Sequence, residues 1–233
     1  DAIKGQNVEL TDVTVVYVMS AGYFVGDETG NMYIYTASAP TVVVGDVLTI
    51  IGEKDIYFDM PQLRNATATK TGTQTVDLTT LAFEAELADV MANVLTDRSV
   101  YGRVYKVEGT VVANGARSNY ALENPLTGDI LTIYNSSVGL TELLAHRNAG
   151  DYVELLVIVH DHHSGGYWRT NYVPGSVVVK EAPQVSDETK VANAITKLVA
   201  DFTNYNVFGS IALPATDARY EGLTITWTSG TPT

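Results

Sequence analysis

The densest group of metal-capable side chains is His160-Asp161-His162-His163, followed by Ser164-Gly165-Gly166. Side chains alternate along a strand, so His160 and His162 share a face, Asp161 opposes them and His163 enters the turn. Two aligned imidazoles and a remote carboxylate fall short of a closed four-ligand zinc site. A polar hairpin tip is therefore expected, with a metal on His160 and His162 as the sharper alternative. Around that tip the sequence offers Arg103 and Lys106 on one strand, Arg117 in a loop, Tyr120 and Tyr134 on two further strands, and Trp168-Arg169 just past the histidines. Aromatic rings interleaved with arginine stack on bases or sugars in single-strand binding grooves. The competing expectation is that Tyr120, Tyr134 and Trp168 close a β-barrel and the arginines are merely solvated. Tyr33 and Tyr35 form a third set, an outer ladder suited to glycan stacking or to docking against a neighbouring domain. Asp27, Glu28 and Asn31 are explained by a turn without calcium.

Catalytic signatures are missing: the chain has no G-x-S-x-G elbow, P-loop, H-E-x-x-H or dinucleotide fingerprint. No enzyme activity and no cofactor are expected of this chain. Without cysteine there is neither a disulfide nor a thiolate ligand. No window reaches the ~18 uninterrupted apolar residues that a membrane-spanning helix needs. A net charge of −13 argues against generic nucleic-acid binding. Its distribution matters more, because residues 97–181 carry 7 of the 14 basic groups.

The elements that would position these residues come from an internal repeat. YFVGDETGNMYIY (23–35) and YALENPLTGDILTIY (120–134) each read as strand, Thr-Gly turn, strand. VVVGDVLTIIG (42–52) and NAGDYVELLVIV (148–159) each turn at Gly-Asp into a long apolar strand. From the turn glycine to the Gly-Asp step is 15 residues in the first copy (Gly30 to Gly45) and 22 in the second (Gly128 to Gly150). The extra residues predict a short helix within 139–150, capped by Thr141, favoured by Glu142 at its positive end and stopped at Gly150. Five strands with that optional helix form a five-stranded Greek-key barrel.

Val13–Met19 leading into YFVGDETGNMYIY and VVVGDVLTIIG resembles the oligonucleotide/oligosaccharide-binding (OB) domains of secreted and surface-anchored bacterial proteins, lipoproteins among them. The second copy is the more divergent, with Glu123-Asn124-Pro125-Leu126 at its turn. Between the copies, 77–95 places Phe83, Leu87, Val90, Met91 and Val94 at helical spacing and predicts one amphipathic helix. Residues 186–202 predict a helix with a Ser or Asp cap, and 223–233 alternate like a half-buried strand. With Leu213-Pro214 and Ile225-Thr226-Trp227-Thr228-Ser229, that segment is similar to the start of an atypical bacterial immunoglobulin-like domain.

The expected organisation is mainly β: OB-like barrels over 1–73 and 97–181 joined by a helical connector at 74–96, then a helix and a partial immunoglobulin-like segment over 182–233. The resemblance implies a non-catalytic accessory region of a larger exported protein, such as an extracellular nuclease, located outside the cell or on its surface. Its expected partners are a single-stranded nucleic acid or a glycan and neighbouring domains of the same longer chain, with the chain itself a monomer. The alternative is a structural or adhesive spacer with no small ligand.

Overall fold

The computed structural model describes residues 3–57, 60–90, 100–114, 119–134, 139–163, 167–184, 186–189, 191, 192 and 195. The chain divides into two compact units, Asp1–Asn124 with Asp129–Ala182, and Pro125–Gly128 with Pro183–Thr233. In the second unit, the Ser186 hydroxyl accepts the Thr189 amide at 3.1 Å and opens a helical turn, so the expected serine cap is present. The strand at 223–233 and the immunoglobulin-like segment lie outside the described residues.

The first unit is mainly β. Strands β1 (Asn7–Met19), β2 (Gly22–Asp27), β3 (Gly30–Tyr35), β4 (Asp46–Tyr57) and β5 (Met60–Thr73) close a barrel in the order β1-β2-β3-β5-β4, with β4 returning to β1. Every pairing is antiparallel except β3 with β5. Asp27 fixes the β2–β3 turn, its Oδ1 accepting the Thr29 amide at 2.7 Å and the Thr29 hydroxyl at 2.6 Å. That carboxylate is occupied by turn chemistry, as the sequence suggests. Val13, Val15, Tyr23, Val25, Ile34, Leu48, Ile50 and Leu63 fill the barrel.

The same ring recurs in β7 (Val104–Asn114), β8 (Asn119–Glu123), β9 (Ile130–Ile133), β10 (Tyr152–His163) and β11 (Tyr167–Tyr172). Strand β7 pairs with β8, β8 with β9, β9 in parallel with β11, β11 with β10, and β10 again with β7. The duplicated OB-like barrel read from the sequence is thus present strand for strand. Two short strands, β6 (Phe83–Glu84) and β12 (Val178–Val179), extend the second sheet.

Helix α2 (Leu140–Ala149) occupies the predicted insertion between β9 and β10, and Gly150, at φ 72°, ends it with its amide on the Arg147 and His146 carbonyls. Thr141 does not cap it. Gly139 holds the N-cap position without a side-chain bond, and Thr141 lies one residue inside the helix.

The single helix expected over 77–95 is also corrected. Asp77 caps only the four-residue helix α1 (Leu78–Leu81), because its carboxylate collects the Thr79 amide and the hydroxyls of Thr79 and Thr80. The chain then extends so that Phe83 and Glu84 pair in parallel with Tyr105 and Lys106, and turns helical again at Leu87–Val90. Pairing with the open edge of β7 outweighs the weak helical preference of Phe83. Met91 and Val94 lie outside the described residues.

One apolar cluster spans both barrels. It joins Val16, Tyr17, Met19, Phe24, Tyr33 and Met60 of the first to β7–β11 of the second. Strand alternation explains the split on β2, where Tyr23 and Val25 point into their own barrel and Phe24 points out. A β-bulge explains it on β1, where the register with β2 shifts between Val15 and Tyr17. The extra residue, Val16, reverses the parity, so Tyr17 and Met19 face the second barrel.

Candidate functional site

Barrels of this type take ligands on the face of their second and third strands and on the loops after the first and fourth. In the first barrel that face is already covered. Phe24 is fully buried and Tyr33 is 5% exposed. Their rings lie 5.1 Å apart, and each meets the His160 imidazole of the second barrel, at 6.4 and 5.8 Å. The Tyr17 hydroxyl donates to the Tyr172 carbonyl at 2.6 Å, and the Asn171 amide reaches Met19 Sδ at 3.5 Å. Gly102 completes the seam at φ 73°, where a Cβ would sit 2.6 Å from Phe24 Cδ1 and 2.8 Å from Asn31 Cβ. Tyr33 is thus buried against the second barrel. Tyr35, the other member of the ladder, is exposed.

In the second barrel the equivalent face is β8–β9. Tyr120 stands opposite Ile133 and packs against the core, while the Arg147 guanidinium of α2 lies 5.0 Å above its ring. Tyr134 follows β9, its ring 5.3 Å from His160 and 4.1 Å from the Arg169 guanidinium. Arg169 is buried rather than solvated. The sequence reading missed Arg147 because its distance from Tyr120 along the chain hides the contact. Its one available signal was a basic side chain in the last turn of a helix inserted beside the binding strands.

Arg103 and Lys106 are drawn elsewhere, to β6. Arg103 lies 4.9 Å over the Phe83 ring, and Lys106 pairs with Glu84 at 2.5 Å. That contact raises the Lys106 pKa and lowers that of Glu84. Trp168 pairs with His162 in the backbone register of β10–β11, but the side chains of both lie outside the described residues, as does Arg117. The register also shifts between Val159 and Asp161, which places a β-bulge at His160. Among the described residues no three His, Asp or Glu side chains gather as a metal site.

Carboxylates neutralise most of the other described cations. Lys4 pairs with Asp55, Arg64 with Glu53, Lys70 with Asp46, and Lys180 with both Glu108 and Glu154. Each pairing fixes a charge that a phosphate would otherwise attract. Arg103, Arg147 and Arg169 lie on aromatic rings.

No protein-family model and no curated protein matches the chain. Among solved structures it is similar to a chain of a replication protein A heterotrimer bound to ssDNA, at 9% identity and TM-score 0.28, covering 86% of this chain and 54% of that one. It is also similar to a multidomain protein with nucleic acid binding domains from Streptococcus pneumoniae, at 13% identity and TM-score 0.22, covering 86% and 61%. Fission yeast Pot1 with ssDNA shows 11% identity and TM-score 0.26, covering 84% and 90%. The chain thus spans about half the length of the first of these and under two thirds of the second. At these scores the OB-like assignment stands on strand order and not on those chains.

Proposed function

We propose that the two-barrel unit is a non-catalytic binding module whose second barrel takes a single-stranded nucleic acid across β8–β9. The observation that carries this reading is the part-exposed Arg147 guanidinium on the Tyr120 ring at the start of β8, whereas Arg169 is buried on Tyr134 beside the His160 ring of the seam. A guanidinium held on a ring offers a phosphate a charge that carries little conformational freedom. An accessory role within a larger exported protein is the setting that the sequence resemblance implies.

The test is fluorescence anisotropy with a labelled dodecathymidylate and, in parallel, a panel of neutral oligosaccharides. One phosphate contact predicts a log–log salt slope of about −0.7, reduced to about zero in Arg147→Gln. Oligosaccharide binding in place of oligonucleotide would move the ligand class to glycans. Absence of oligonucleotide binding at low salt, or binding untouched by Arg147→Gln, would refute the nucleic-acid reading.

A second reading, a rigid spacer, is favoured by the apolar cluster that ties the barrels together. It predicts no binding in either panel, together with small-angle scattering that fits one fixed two-barrel shape.

A further inference from the structure

On the first unit, between the β2–β3 turn and the connector, lies a groove of about 760 Å³, a size typical of ligand-binding clefts. Leu81 and Phe83 line it, and both are large apolar side chains left half exposed. The rim is charged almost entirely one way, with the carboxylates of Asp12, Asp27, Glu28 and Asp77 against the single guanidinium of Arg103. Local hydrogen bonds keep two of these ionised. The Thr29 hydroxyl and amide hold Asp27 below the usual carboxylate range, and Thr79 and Thr80 do the same for Asp77.

We infer that this groove docks a basic peptide segment of a partner protein, a Lys or Arg flanked by an apolar side chain. Charge complementarity selects the sign, since four carboxylates repel any polyanion and draw a cation. The exposed apolar floor selects a segment with an apolar anchor over a bare ammonium ion. Arg103 already shows the contact in miniature, a guanidinium resting on the Phe83 ring at 4.9 Å. The site is independent of the β8–β9 face proposed for nucleic acid.

The experiment titrates the intact chain with the hexapeptide Gly-Leu-Lys-Phe-Arg-Gly and with its counterpart bearing Glu in place of Lys and Arg, followed by amide chemical shifts. Saturable shifts confined to residues 12–16, the β2–β3 turn, 74–83 and 102–104 are expected with the basic peptide alone. Glu28→Gln should weaken binding about threefold, and Arg103→Gln, which removes the competing cation, should strengthen it by about the same factor. Phe83→Ala should cost about tenfold through lost apolar contact. Glu28 is exposed in a turn, so its substitution tests the site without disturbing the core. Equal binding of both peptides, affinities indifferent to Glu28→Gln and Arg103→Gln, or shifts elsewhere would overturn the proposal. Self-association that the peptide displaces would assign the groove to a second copy of the chain and equally overturn it.

Discussion

Phe24→Ala isolates the seam between the barrels, because β2 alternation places this ring outside its own barrel's core. Phe24 is fully buried, packs at a tilt on Tyr33 with centroids 5.1 Å apart, meets the His160 ring edge-on at 6.4 Å and abuts Gly102. Truncating a buried phenylalanine costs about 3–5 kcal/mol. A seam between two barrels relaxes more readily than a barrel interior, which favours the lower end, about 3 kcal/mol. With a urea m-value of about 2 kcal/mol/M, the midpoint should fall by about 1.5 M. Hydrogen exchange supplies the sharper readout, since amides of β10 and β11 in the second barrel should lose protection together with those of β2 and β3. Val25→Ala, which strikes the first barrel's own core, should lower protection in β1–β5 alone. A loss below about 1 kcal/mol, or unchanged protection in β10 and β11, would refute a shared cluster that couples the barrels.

Gly102→Ala combines a left-handed backbone with a clash across the seam and should cost about 2–4 kcal/mol by calorimetry. Gly150→Ala has nearly the same φ with nothing within 4 Å of its Cβ, so it should cost only about 1–2 kcal/mol, and equal losses at the two sites would remove the steric argument. Asp55, bonded to Lys4 at 2.8 Å, has its pKa lowered to about 2 chiefly by that contact. The folded value lies below the unfolded one, so its stabilisation is complete above about pH 4 and is lost as pH falls toward 2. Asp55→Asn should flatten acid unfolding in that window, and an unaltered profile would show that the pair contributes nothing.

The repeat was legible because turn chemistry is local. Thr29-Gly30, Thr127-Gly128, Gly45-Asp46 and Gly150-Asp151 mark where strands must end, and the seven extra residues mark α2. The bulges at Val16 and His160 were not legible. The run Val15-Val16-Tyr17-Val18-Met19 is apolar on both faces, so no polar residue records where the parity reverses. The error over 77–95 has a related cause: helical spacing of apolar residues is real there, but β7 offers an open edge that periodicity cannot see. For the candidate site the sequence supplied residue types and not their contacts. The sequence named arginines and aromatics near one another, yet Arg103 and Lys106 sit with Phe83 and Glu84, and Arg147 joins Tyr120 only through folding.

Duplication alone would suggest two ligand faces in series, and the seam argues against it. A barrel that buries Phe24 and Tyr33 against its neighbour gives up the surface on which a base or sugar would stack. On the proposed reading the footprint is then that of one barrel, about 4–16 nucleotides, with the first barrel serving to hold His160 and Tyr134 in place. Lengthening the oligonucleotide beyond that span should raise affinity only by the statistical number of registers. A second, tighter increment near twice the span would mean that the first barrel's face opens to ligand, and that the aromatic seam is a closed state competing with binding.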